Sequence, residues 1–129
     1  MLVTGNSRQS LDWIAAHGDG WLMYPRPVEQ QRQTLNQWQG ALTAAEQNWK
    51  PFAQSLYIDL VEDPDAASQP IHLGYRLGRN TLKAHLYALQ ELGVNHVTFN
   101  VRFSARPVDE VMDELGEYII PAFPKIGPP

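Results

Sequence analysis

Cysteine is absent from the 129 residues. Disulfides, thiolate metal centres and cysteine nucleophiles are therefore excluded, and the absence suits a reducing compartment such as the cytoplasm. Long apolar runs are missing too: none approaches the roughly 18 to 20 residues that cross a bilayer as a helix, so no membrane partner is expected. The opening Met1-Leu2-Val3-Thr4-Gly5 has neither a charged leader nor a long apolar stretch, and no signal peptide is expected there. Basic charge is sparse. Lys and Arg number 10 against 14 Asp and Glu, for a net charge of −4, and they are scattered. With no basic stripe to follow a phosphate backbone, no nucleic-acid partner is expected.

Several chemical signatures are also lacking. His17, His72, His85 and His96 show no HExxH or related metal spacing, so no metal site is expected. No serine sits in a G-x-S-x-G elbow and no P-loop occurs. The carboxylates Asp109, Glu110, Asp113, Glu114 and Glu117 crowd one segment. The first two suit a helix N-terminus, and the rest read as a solvated face rather than a catalytic pair.

What is present is an ordinary globular composition, 43% hydrophobic and 19% charged. It predicts one domain over residues 1–129, with a frayed Pro/Gly-rich tail at about 121–129. The hydrophobic pattern alternates between short apolar runs and helical spacing. Leu2-Val3-Thr4 reads as a strand, and Ser7 as the N-cap of a helix that Gly18 stops after His17. The run from Gly20 to Tyr24 reads as a second strand. Pro27 then opens a long helix carrying Leu35, Trp38, Leu42, Ala45 and Trp49. Trp13, Trp38 and Trp49 are read as packing residues rather than cofactor contacts.

A third strand is expected from Leu56 to Val61, ended by Glu62-Asp63-Pro64-Asp65. The stretch from Gln69 to Arg79 stays open: Ile71-His72-Leu73 fits a short strand, while Gly74 and Gly78 suggest an irregular loop. Asn80 is placed as the cap of a third helix with Leu82, Leu86, Leu89 and Leu92, closed by Gly93. A fourth strand spans His96 to Arg102. Pro107 opens a last helix with Val108, Val111, Leu115 and Ile119 inward.

The order is thus βα four times, an α/β fold with parallel strands and right-handed crossovers. Two architectures remain open on periodicity alone. One is a small open sheet with helices on both faces, flavodoxin-like. The other is half of a TIM-type (βα)8 barrel with helices on the outer face only. Either places chemistry at the C-terminal ends of strands, which selects the loop from Asn6, Tyr24 with Arg26, Glu62 with Asp63, and Arg102 with Arg106. The two last arginines are read as ion-pair partners of surface carboxylates.

The run Thr4-Gly5-Asn6-Ser7-Arg8-Gln9-Ser10-Leu11-Asp12-Trp13-Ile14-Ala15-Ala16-His17-Gly18-Asp19-Gly20-Trp21 resembles the fifth strand and helix of the bacterial-luciferase-like flavin-dependent monooxygenases. Tyr24-Pro25-Arg26, Leu92-Gly93-Val94-Asn95-His96-Val97 and Glu117-Tyr118-Ile119-Ile120-Pro121-Ala122-Phe123 extend the likeness across nearly the whole chain. Each motif is weak alone; their order and spacing make the match specific. The resemblance implies the half barrel, and FMN as cofactor. It assigns the flavin phosphate to Asn6, Ser7 and Ser10, beside which Arg8 adds a full charge. A helix N-terminus, with unpaired N–H groups and partial positive charge, suits such an anion. Tyr24 is placed either against the flavin ring or over helix ends. The likeness covers only the second half of the family fold, so it implies a catalytic site incomplete without the first four βα units.

A half barrel would leave the inner side chains of its strands bare. Ile58, Leu60, Val97, Phe99 and Val101 are the residues expected on that face, and a two-fold homodimer closing the open faces is expected in consequence.

Overall fold

The computed structural model describes residues 1–5 and 8–124. The strands are β1 (Leu2–Thr4), β2 (Gly20–Met23), β3 (Phe52–Leu60), β4 (Gln69–Ile71), β5 (Gly74–Leu77) and β6 (His96–Asn100). The helices are α1 (Leu11–His17), α2 (Val28–Ala44), α3 (Arg79–Leu92) and α4 (Val108–Glu114). A π turn over Leu115–Ile119 and a 3-10 turn over Ile120–Ala122 continue α4. The class is α/β, with a mostly parallel sheet. Strand order is β1-β2-β3-β5-β4, and β6 also pairs with β3.

The third repeat departs from the expected pattern. Between β3 and α3 stands the antiparallel β4–β5 hairpin, and β5 pairs with β3 in parallel. Leu73 turns the hairpin in the left-handed region, at φ 53. Gly74 follows because nothing larger fits: a Cβ there would stand 1.8 Å from the Tyr57 carbonyl oxygen. The third repeat thus carries an added hairpin between its strand and its helix.

The chain forms two compact units. The first comprises Met1–Leu56 and Ala88–Thr98. In it β1, β2 and the start of β3 lie parallel, with Val3 beside Trp21 and Trp21 beside Phe52. Trp21 and Trp38 approach to 5.4 Å between ring centroids, and Trp21 meets Phe52 edge-on. Val3, Ile14, Leu35, Trp38, Leu42, Phe52, Leu56 and Leu89 are buried with them. Trp13 instead lies half-exposed, stacked on His17.

Two helix ends in this unit differ from the sequence pattern. The first helix begins at Leu11, because Ser10 is the N-cap: its backbone is extended and its Oγ accepts from the Trp13 N–H at 3.1 Å. Ser7, the expected cap, lies outside the described residues. The second helix ends at Ala44 instead of reaching Trp49. Glu46 takes a left-handed φ of 59, and the Gln47 N–H returns to the Leu42 carbonyl, closing the last turn. Gly93, at φ 110, closes α3 in the same way through the Val94 N–H and Leu89 carbonyl.

The second unit comprises Tyr57–Tyr87 and Phe99–Pro129. Ile58, Leu60, Leu77, Leu82, Leu86, Val111, Leu115 and Ile119 form its buried core. Asn80 does not cap α3, which starts one residue earlier. Its side chain donates to Asp65 Oδ1 and its N–H to the Pro64 carbonyl, pinning the loop after β3. Val108, expected to point inward, is exposed. Ile58 and Leu60 are fully buried in the single chain, and Val97, Phe99 and Val101 are half-buried. These five do not make a bare apolar face.

Candidate functional site

The C-terminal ends of β1 and β2 come together in the first unit, since the strands are parallel and in register. Beyond Thr4 the chain turns at Gly5, with φ 54. The Gly5 N–H donates to the Leu22 carbonyl at 2.8 Å, and its own carbonyl accepts from Trp21 Nε1 at 2.5 Å. A Cβ at Gly5 would stand 3.4 Å from Tyr24 Cε2, so the half-exposed Tyr24 ring lies against this turn. Left-handed backbone with an aromatic ring beside it favours glycine here.

Of the residues expected to hold a flavin phosphate, Asn6 and Ser7 lie outside the described residues. Arg8 is exposed, in a left-handed conformation at φ 61, with no ion pair among the described residues. Ser10 uses its oxygen as a helix cap, which leaves its hydroxyl hydrogen available to an anion. Gly5 and Tyr24 are therefore adjacent, and Arg8 and Ser10 follow within the same loop.

Beneath Tyr24 is a feature the sequence reading missed. Gln31 and Gln54 are fully buried, and Gln31 Nε2 donates to Gln54 Oε1 at 2.7 Å and to the Tyr24 carbonyl at 3.3 Å. Gln31 Oε1 and Gln54 Nε2 have no hydrogen-bond partner among the described residues. The pair fixes the backbone at the end of β2. A signal existed: Gln31 falls on the same helical stripe as Thr34, Leu35, Trp38 and Leu42, where a polar residue must find a partner. Arg26, next in the loop, is engaged with Thr34 Oγ1 at 2.9 Å.

The other candidates belong to the second unit. Arg106 donates to Glu110 and Glu114, each at 3.0 Å, and more weakly to the Leu60 and Val61 carbonyls. It serves as an ion-pair hub. The hydrogen bond to Glu110 pushes its pKa up and Glu114 adds to this, while burial opposes both. Arg102 lies over the Phe103 ring, 5.7 Å from its centroid. Asp63 caps its own loop by accepting from the Asp65 N–H.

Among the described residues, no group of three or more His, Asp or Glu side chains is placed to hold a metal ion, and no helix is long and apolar enough to cross a membrane. No protein-family model matches the chain, and no curated protein matches it.

Proposed function

We propose that the chain supplies the flavin-phosphate side of a luciferase-like, FMN-dependent monooxygenase, as half of a (βα)8 barrel. The observation that carries this reading is the joint placement of Gly5 and Tyr24 at the C-terminal ends of adjacent parallel strands, where such folds hold ligands. The residues fit the cofactor in kind. The exposed Arg8 guanidinium and the Ser10 hydroxyl suit a phosphate, and the Tyr24 ring suits the edge of a planar heterocycle. The flavin, when bound, supplies the electron transfer that activates dioxygen for oxidation of a small organic substrate. This chain's part is to hold the phosphate and orient the ring. The groups that act on the substrate come, in this reading, from the other half of the barrel.

Titration of the chain with FMN and with riboflavin, followed by flavin fluorescence, tests the proposal. FMN is expected to bind at least tenfold more tightly than riboflavin, and Arg8→Glu to remove that advantage while leaving riboflavin unchanged. Equal affinity for both flavins, or none for either, overturns it. Oxygen uptake with FMN and NADPH separates a binding module from a catalyst. Binding without uptake is expected of this chain alone.

A further inference from the structure

Independently of the flavin reading, the outward face of α4 and its continuation carries an organised pair of rows. Val108, Met112 and Ile120 are 52%, 55% and 58% exposed, with Gly116 open between them and nothing within 4 Å of its Cβ position. Successive members are four residues apart, the spacing of one ridge on a helix. In a plain α-helix that ridge would drift around the axis. The π turn over Leu115–Ile119 winds more slowly per residue, which opposes that drift. On the inward side Val111, Leu115 and Ile119 are all buried at the same four-residue step.

Beside the apolar row runs an acidic one, Asp109, Asp113 and Glu117, all exposed. Neighbouring carboxylates are neutralised: Arg106 holds Glu110 and Glu114, and Arg79 reaches Glu114 and stacks on Tyr118 at 3.8 Å. The outer three have no ion pair among the described residues. Like charges at this spacing repel one another. An apolar row with an unneutralised acidic flank asks for a complementary surface.

We infer that this face docks an amphipathic helix of another protein, one whose apolar row is flanked by lysines or arginines. From Val108 to Ile120 the site runs about 18 Å, the length of roughly three turns of a partner helix. Gly116 offers the notch for one large side chain. Charge argues against two other occupants. A second copy docked with the two helices antiparallel would set acidic row against acidic row. An anionic membrane surface prefers a basic flank.

The test uses the full chain, isotope-labelled, and two synthetic 18-residue helices with the same leucine row. One has flanking lysines, the other glutamates. Amide shifts are expected along residues 108–120 with the lysine peptide and not with the glutamate peptide. Met112→Ser is expected to weaken binding roughly tenfold, a loss in keeping with one buried apolar side chain. The triple variant Asp109→Asn, Asp113→Asn, Glu117→Gln is expected to weaken it similarly. Both changes lie on the surface, and circular dichroism confirms that the variants fold. Shifts spread over other acidic surfaces, or full affinity in Met112→Ser, overturn the inference as general charge attraction. Self-association mapped to residues 108–120, or binding of phosphatidylserine vesicles through them, overturns it in favour of those occupants.

Discussion

The carboxylate of Asp59 accepts a hydrogen bond from the backbone N–H of Ala105 at 3.1 Å, across 46 residues of sequence. Its other oxygen accepts from Arg76 Nε at 2.8 Å, and the residue is 2% exposed. One buried side chain thus ties β3 to β5 and to the loop entering α4. Asp59→Ala strands the Ala105 N–H, while the half-exposed Arg76 returns its charge to water. We expect a loss of about 2 kcal/mol. Asp59→Asn keeps an oxygen for Ala105 and is expected to lose about half as much. Urea unfolding of the three proteins checks the order, and equal midpoints would refute the role.

Two glycines should respond in opposite directions to the same substitution. A Cβ at Gly74 would meet the Tyr57 carbonyl oxygen at 1.8 Å, so Gly74→Ala forces β5 away from β3. A loss of about 4 kcal/mol or more is expected, as for other severe clashes. Gly40 is exposed within α2 with nothing within 4 Å of its Cβ position. Gly40→Ala is expected to add about 1 kcal/mol, through helix propensity alone. Thermal unfolding of both variants decides. A neutral Gly74→Ala would mean that the pairing of β3 with β5 is not as tight as described.

Ser10 carries a structural duty that any ligand must share. Its Oγ caps α1, a helix of only seven residues. Ser10→Ala is expected to cost about 1 kcal/mol, and Ser10→Asp to restore the cap. The readout is hydrogen exchange at residues 11–17, where the alanine variant should exchange faster and the aspartate variant should not. If FMN binds as proposed, Ser10→Asp should also weaken it, because a carboxylate repels the phosphate. Protection without loss of FMN affinity would remove Ser10 from the ligand site while keeping it as a cap.

The sequence pattern revealed what local physics decides and missed what distant partners decide. Pro27, Gly93 and Pro107 bound their helices where expected, since each acts through its own backbone. The end of α2 was illegible: Glu46 adopts a left-handed turn that its residue type does not announce, and the apolar spacing simply ran on to Trp49. The cap was expected at Ser7, whereas Ser10 fills that place, with an extended backbone that the local pattern does not announce. The β4–β5 hairpin depends on how closely Gly74 approaches Tyr57, a tertiary fact. At the candidate site, Tyr24 was legible from its place at a strand end. The Gln31–Gln54 pair beneath it required knowing that both amides face one another.

His85 gives the fold a dependence on pH whose sign follows from burial. Its ring packs edge-on against Tyr75, with centroids 5.1 Å apart, and desolvation holds its pKa below the ordinary value of 6.5. Below 6.5 the unfolded chain therefore takes up a proton that the folded chain resists. The stability tied to a neutral His85 is fully present above 6.5. It falls as pH drops from there toward the folded value, then levels off. Asp19 acts elsewhere. The hydrogen bond and charge of the N-terminal ammonium hold its exposed carboxylate below 3.8, so its share is lost only in stronger acid. Urea midpoints between pH 8 and pH 5 should decline in the parent chain and decline less in His85→Gln. An unchanged slope in the variant would assign the dependence to other groups.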